Sequence, residues 1–386
     1  MTPGARVSAA IEVLDAIAGG LAAEQALTRW ARQSRFAGSK DRAAVRDHVF
    51  DVLRQKRTAA HYGGSEAGRA LMIGMLHGQK ADLDALFTGE GHAPMPLSEE
   101  ERRFPQTPED RATNLNLPDW LLPLFDTALG EKADAAALAL QERGPICLRV
   151  NTARIEVAAA QELLAEDGVQ TRANPLTAAA LTVTEGPRRI RNSRAFIDGY
   201  VELQDAASQA VVAGLPLGGR VLDYCAGGGG KALALAMDPS RQITAHDIDP
   251  RRMSDLPLRA ERAGVEISIA DREQVVADDP YDLVLCDAPC SGSGAWRRAA
   301  EGKWTLTPDR LTELTGIQDQ ILDAAATLTT AQGVLAYATC SLFREENEAR
   351  VDAFLTRHPE WKATRMDRFD VTSEGDGFFV AQLTRD

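Results

Sequence analysis

From about residue 218 to the C-terminus, short apolar runs alternate with helix-patterned stretches, and this alternation constrains the fold more than any other feature. Val221-Leu222-Asp223-Tyr224, Gln242 to Ala245, Glu266 to Ile269, Asp282 to Leu285 and Val334 to Tyr337 read as strands, and Gly377 to Leu383 as a hairpin-like sixth. Strand–helix alternation predicts an α/β, doubly wound, Rossmann-like sheet over 218–386, with ligands at the carboxyl ends of its strands. Every motif with chemical content in this chain sits at such an end.

The upstream pattern is different. Val7, Ile11, Leu14 and Ile17, then Val45, Val49, Val52 and Leu53, recur at helical spacing, and Gly19-Gly20 and Gly63-Gly64 end two of these helices. Residues 1–87 therefore read as an all-helical domain. Residues 88–118, with Gly89, Gly91, Pro94, Pro96, Pro105, Pro108 and Pro118, read as a linker. Trp120 to Leu124 and Ala133 to Leu140 read as short helices and Ile146 to Val150 as a strand, so 119–217 is expected to be a small α+β connector.

A chain of 386 residues has room for two or three domains. Its longest apolar runs, Leu283 to Cys286 and Val334 to Ala338, fall far short of the ~20 residues that span a bilayer. The N-terminus carries Glu12 and Asp15 in an amphipathic pattern rather than a signal-peptide core, so a cytoplasmic protein without a membrane partner is expected. The five cysteines, Cys147, Cys225, Cys286, Cys290 and Cys340, form no CxxC pair, which signals neither a disulfide framework nor a metal site. The net charge of −13 argues against simple adhesion to phosphate. Residues 1–80, however, hold 12 Lys/Arg against 7 Asp/Glu, a basic segment that permits a polyanion partner.

Asp223-Tyr-Cys-Ala-Gly-Gly-Gly-Gly-Lys231 places a glycine run between a strand and a helix, where backbone approaches a ligand closely. The next strand ends in His246-Asp247-Ile248-Asp249, about where a carboxylate holds the ribose hydroxyls of a nucleoside cofactor. Asp271 ends the third strand similarly. Three acidic strand ends around one glycine turn suit S-adenosylmethionine, which has no phosphate, better than a dinucleotide. The competing reading of Asp247 and Asp271 is as turn residues.

Strand four ends in Cys286-Asp287-Ala-Pro-Cys290-Ser-Gly-Ser-Gly294, and strand five in Tyr337-Ala-Thr-Cys340-Ser341. Two thiols thus emerge on neighbouring strands toward one cleft. Carbon 5 of cytosine is too poor a nucleophile to take a methyl group directly; a thiolate must first add to carbon 6. The adduct needs a hydrogen bond or proton at ring nitrogen 3, a task that suits Asp287. The carbon 5 proton must then be removed before the thioether is eliminated, which a second thiol can do. Cys147, Cys286 and Cys225 read as buried small residues.

These motifs resemble those of the RNA cytosine-5 methyltransferase family of the RsmB/Sun type, over nearly the whole chain. The Asp-Ala-Pro-Cys-Ser-Gly and Ala-Thr-Cys-Ser loops together are that family's double-cysteine mark. Leu148-Arg149-Val150-Asn151-Thr152, Gln204 to Gln209, Lys303-Trp304, Gln318 with Ile321-Leu322, Glu345-Glu346-Asn347 and Gly375 to Phe379 stand where the family has similar stretches. The resemblance implies a class I methyltransferase domain in which Cys340 is the nucleophile and Cys290 assists release. It also implies that Cys225, Ala226, Gly227, Gly228, Gly229, Gly230 and Lys231, with Asp247, Asp271 and Asp287, line the S-adenosylmethionine site. The helical start resembles the NusB-like RNA-binding domain of some members, which tilts the expected RNA toward the ribosomal (16S) type. The sequence departs from the family where Gly228 stands in place of a proline.

Arg188, Arg189, Arg191 and Arg194, with Arg297 and Arg298, are candidate contacts to RNA phosphates, solvated surface charge being the alternative. No metal is implied, and a monomer is expected. The alternatives left open are the same chemistry on transfer RNA, a DNA cytosine-5 methyltransferase, which would not need Cys340, and a non-catalytic RNA-binding assembly factor.

Overall fold

The computed structural model describes residues 1–278 and 280–386, which divide into two compact units. One comprises Met1–Asp126, Gly130–Arg143 and Trp296–Thr305; the other comprises Thr127–Leu129, Gly144–Ala295 and Leu306–Asp386.

The first unit is helical. Helices α1 (Pro3–Ala18), α2 (Ala23–Gln33), α3 (Ser39–Arg54), α4 (Lys56–Gly63) and α5 (Gly68–Gly78) share a core of Val7, Val13, Trp30, Val45, Val49, Val52, Met72 and Ile73. Gly19 caps α1, and Gly64 caps α4 in the left-handed conformation, so both glycine pairs end helices as their chemistry dictates. The proline-rich stretch 88–118 lies in this unit, as do the residues that follow it up to Asp126 and then Gly130–Arg143. Trp296–Thr305, from the middle of the α/β sequence, belongs to it as well. Lys303 Nζ donates to Arg54 O at 2.6 Å and Trp304 Nε1 to Leu53 O at 2.6 Å, which satisfies carbonyls at the end of α3. Glu301 accepts from Ala23 N at the start of α2.

The second unit holds two sheets. Strands β1 (Cys147–Val150), β2 (Gln170–Ala173), β3 (Ala180–Glu185) and β4 (Val201–Leu203) form an antiparallel sheet in the order β2-β3-β1-β4, with a core of Leu148, Val150, Leu164, Leu181 and Val201. Strands β5 (Gly219–Asp223), β6 (Arg241–Ala245), β7 (Ser268–Ile269), β8 (Tyr281–Asp287), β9 (Thr329–Thr339), β10 (Trp361–Phe369) and β11 (Phe378–Arg385) form the larger sheet, in the order β10-β11-β9-β8-β5-β6-β7. From β9 to β7 it is parallel, with a helix in each crossover, and β11 pairs antiparallel with β9 and β10. The α/β doubly wound architecture is therefore as expected, and the sixth element is the second strand of a hairpin whose first strand, β10, carries no clear apolar run.

Both faces of this sheet are covered, which explains the continuous apolar strands. Along β8, Leu283 and Leu285 join one core with Val221, Ala336 and Ala338, while Val284 and Cys286 join the other with Leu222, Leu335 and Tyr337. Each such buried Leu or Val contributes roughly 1.5–3 kcal/mol. Strand order reverses between β5 and β8, so the crevice of this fold opens at their carboxyl ends. Among the described residues, no helix is long and apolar enough to cross a membrane.

Candidate active site

The glycine turn leaves β5 at Asp223. Gly227 and Gly229 adopt φ of +54° and +76°, and a Cβ on Gly229 would lie 2.3 Å from Leu256 Cδ1, so this position requires glycine. Gly228 lies outside the left-handed region, and a Cβ there would meet only Arg259 Nη1 at 3.5 Å. Side chains brace the turn from outside: Arg149 Nη1 donates to Gly230 O at 2.9 Å, and Arg259 donates to Gly228 O. Asp247, 4% exposed, accepts from Gly227 N at 2.8 Å and from Asp249 N at 3.0 Å, and pairs with Arg252 Nη1 at 3.0 Å.

Asp223 is buried, and neither of its carboxylate oxygens has a partner of hydrogen-bond geometry. Burial, and then the charge of Asp287, push its pKa up to about 7, while Lys231 and the Ala232 amide pull the other way. A carboxyl closed off from solvent at the end of β5, with so little to support its charge, favours the protonated form. Burial, followed by the neighbouring carboxylates, also pushes up the Cys225 thiol, which keeps it protonated.

At the end of β8, Asp287 accepts from Lys231 Nζ at 2.7 Å. Burial alone would lower the lysine pKa, but the charge and hydrogen bond of Asp287 outweigh it and the net shift is upward. Cys340 contributes to the same upward shift, so the ammonium is in electrostatic reach of that sulfur. The sequence leaves open which group assists the thiols; the structure puts the Lys231 ammonium within electrostatic range of Cys340, a link between residues 109 positions apart that no local pattern encodes.

Strands β8 and β9 stay in register to Asp287 and Ala338, and Ala288 N donates to Ala338 O at 2.9 Å. Cys290 and Cys340 follow on adjacent loops, held by Gly294 N donating to Cys340 O at 2.9 Å, and their sulfurs are 3.5 Å apart. The hydrogen bond to Cys340 and then burial push the Cys290 thiol well up. Two thiols this close resist simultaneous ionisation. Cys147 and Cys286 are buried.

Residues 216–384 match the family described as 16S rRNA methyltransferase RsmB/F, and residues 117–189 match its ferredoxin-like domain. A ribosomal RNA small subunit methyltransferase B of Xanthomonas campestris is 32% identical over 297 residues, covering 71% of this chain and 68% of that protein. The chain belongs to the RsmB/F methyltransferase family. A methyltransferase B of Citrobacter koseri is also 32% identical, over 284 residues; this chain spans 66% of its length, and the match covers 69% of this chain. A methyltransferase homologue from Pyrococcus horikoshii is 25% identical with a TM-score of 0.62, covering 72% of this chain and 98% of that one. PH0851, 23% identical, has the same fold over 100% of this chain and 99% of its own, with a TM-score of 0.80. S-adenosylmethionine is the cofactor of RsmB/F methyltransferases.

The expected family residues do not all converge. Asp287, Cys290, Cys340, Lys231 and the turn 225–230 lie at the ends of β5, β8 and β9, and Asp247 at the end of β6. Asp271 is exposed and caps the helix Arg272–Ala277, accepting from Gln274 N at 2.9 Å while Gln274 accepts from Asp271 N at 2.9 Å. Arg188, Arg189 and Arg191 are exposed on the 3-10 turn Pro187–Asn192, and Arg194 pairs with Glu166. Arg298 is exposed. Arg297, expected at the surface, is 2% exposed, and its carbonyl accepts from Arg54 Nε at 2.7 Å; its guanidinium is not a surface cation.

Proposed function

We propose that this RsmB/F family member methylates carbon 5 of a cytosine in RNA, ribosomal RNA of the small-subunit type, by covalent addition of Cys340 and release assisted by Cys290. The observation that carries the reading is the 3.5 Å approach of the two sulfurs beside the Lys231–Asp287 pair. Methyl transfer to an amine needs an acceptor and a stacking ring but no thiol; activation of a pyrimidine needs one, and a second can take the carbon 5 proton.

The turn 225–230 and Asp247 would hold S-adenosylmethionine. The glycine backbone admits close approach, and the surrounding carboxylates suit a ligand without phosphate. When bound, this cofactor supplies the methyl group and, as a sulfonium, a good leaving group.

Cys340, as thiolate, gives its electron pair to carbon 6, and the π pair of the ring moves onto carbon 5. A proton passed from the Lys231 ammonium through Asp287 to nitrogen 3 neutralises that electron-rich ring, and it returns along the same pair when the ring is restored. After carbon 5 is methylated, Cys290, its own proton lost to solvent, takes the carbon 5 proton. The freed pair re-forms the ring double bond, the carbon 6–sulfur bond breaks, and Cys340 leaves as thiolate. A thiol whose pKa is raised makes the stronger base once ionised, which fits Cys290 for the second step. A cytosine stacked in a helix must be turned out to reach both sulfurs, which favours a loop or a partly assembled RNA. Arg188, Arg189 and Arg191 are the candidate phosphate contacts, and the protein is read as cytoplasmic.

Labelled S-adenosylmethionine and small-subunit ribosomal RNA lacking cytosine methylation test this directly. Label in 5-methylcytosine supports the reading; label in another nucleoside, or none, overturns it.

A further inference from the structure

Beyond the last shared strand hydrogen bonds, the two cysteine loops are joined by Ser293 Oγ, which meets Ser341 Oγ at 3.1 Å and accepts from Leu342 N at 2.7 Å, and by one buried carboxylate that takes donors from both. Glu346 is 0% exposed, and its carboxylate accepts from Ser291 N at 2.8 Å, Ser291 Oγ at 2.5 Å, Ser341 Oγ at 2.5 Å and Gln318 Nε2 at 3.1 Å. Ser291 directly follows Cys290 and Ser341 directly follows Cys340, so one carboxylate oxygen, Oε2, receives the hydroxyl next to each thiol. Gln318 Nε2 also donates to Pro289 O at 2.9 Å, which holds the residue before Cys290. Tyr337 Oη donates to Glu346 O at 2.6 Å, and Asn347 Nδ2 donates to Ser341 O at 2.9 Å, which fix the clasp to β9 and its loop.

Among the described residues, no lysine or arginine pairs with Glu346. A buried carboxylate without a counter-ion is costly and persists only where several donors are aimed at it. Here these donors come from both catalytic loops and from the helix Pro308–Leu328. Loop closure alone would be served by neutral side chains. A charged acceptor shared by the two serines fixes where both neighbouring sulfurs stand.

We propose that Glu346 is the positioning residue that sets the distance between the Cys290 and Cys340 sulfurs, so that one can attack carbon 6 while the other reaches the proton on the adjacent carbon 5. This rests on the methylation reading above for its chemistry, but the separation of the sulfurs is measurable without RNA. Charge and acceptor geometry both matter, because an amide at position 346 has one oxygen only: its NH2 either meets the Ser291 N–H, which cannot accept, or takes the place at which both hydroxyls donate.

The test compares the full chain with Glu346→Gln and with Ser291→Ala/Ser341→Ala, the latter keeping the carboxylate in case the former fails to fold. Dibromobimane bridging of Cys290 to Cys340, mapped by peptide mass, reads the sulfur separation; methyl transfer to RNA reads its consequence. Both variants are expected to bridge several-fold more slowly and to lose about 100-fold in kcat, the size of effect a ~1 Å misplacement produces, with the KM for S-adenosylmethionine unchanged. Bridging and kcat at the parent rate in both folded variants, or a loss confined to KM for the cofactor, would overturn the proposal. A parent chain that bridges normally but forms no 5-methylcytosine contradicts the function reading instead, and the bridging comparison still decides the role of Glu346.

Discussion

Cys290 Sγ and Cys340 Sγ lie 3.5 Å apart on loops that leave neighbouring parallel strands, β8 and β9. At that distance the pair holds one negative charge far more readily than two, which fits the proposed mechanism, in which the sulfurs act in turn rather than together. Sequential action on two bonded ring atoms is what cytosine-5 methylation demands.

The glycine turn yields opposite expectations at adjacent positions. Gly229→Ala places a Cβ at φ +76° and 2.3 Å from Leu256 Cδ1, and is expected to cost about 1–3 kcal/mol and weaken cofactor binding. Gly228→Ala meets only Arg259 Nη1 at 3.5 Å and is expected to stabilise by about 0.4–1 kcal/mol through the unfolded chain. Denaturant melts with S-adenosylmethionine titrations measure both.

Asp223→Asn has a pH signature. With its folded pKa raised to about 7 from 3.8, Asp223 binds more protons folded than unfolded between those values, so its contribution to stability falls as pH rises through that window. Asn escapes the penalty. The variant should therefore gain more stability over the parent at pH 8 than at pH 5, by on the order of 1–3 kcal/mol. Equal gains at both pH values would contradict the burial argument.

Lys231→Met removes the cation paired with Asp287. Methyl transfer is expected to fall by about 10²–10³-fold, the usual loss when one preorganised charge partner is removed. Transfer at the parent rate would show that the Lys231–Asp287 pair has no part in the reaction.

Lys303 predicts how the helical unit responds to pH. Burial, and then Arg54, lower its pKa to about 7 from 10.5, so between those values the unfolded chain binds the extra proton and stability rises with pH. Unfolding free energies of the parent from urea melts should climb between pH 7 and 9 by up to about 1.4 kcal/mol per pH unit relative to Lys303→Met. A flat difference would show that the ammonium is not desolvated.

What was legible in the sequence is what local pattern encodes. Both thiols, Asp287 and the glycine turn stand at strand ends because strands buried on both faces read as apolar runs with abrupt polar stops. β10 was hidden, since its edge position leaves Lys362, Arg365 and Asp367 among its residues with no apolar run. Asp271 carried a signal that competed with ligand binding: Asp271-Arg-Glu-Gln274 is a capping-box spacing. The membership of Trp296–Thr305 in the helical unit, the reach of Lys231 to Cys340 and the clasp of Glu346 join residues that no periodicity links.

The unequal roles of the two thiols are the central claim, and covalent trapping on RNA tests them most directly. With S-adenosylmethionine and small-subunit ribosomal RNA, Cys290→Ala is expected to accumulate a protein–RNA adduct that survives denaturing gel electrophoresis and contains 5-methylated cytosine, whereas Cys340→Ala forms neither adduct nor product. An active Cys340→Ala enzyme, or an adduct that forms without Cys340, would contradict the account.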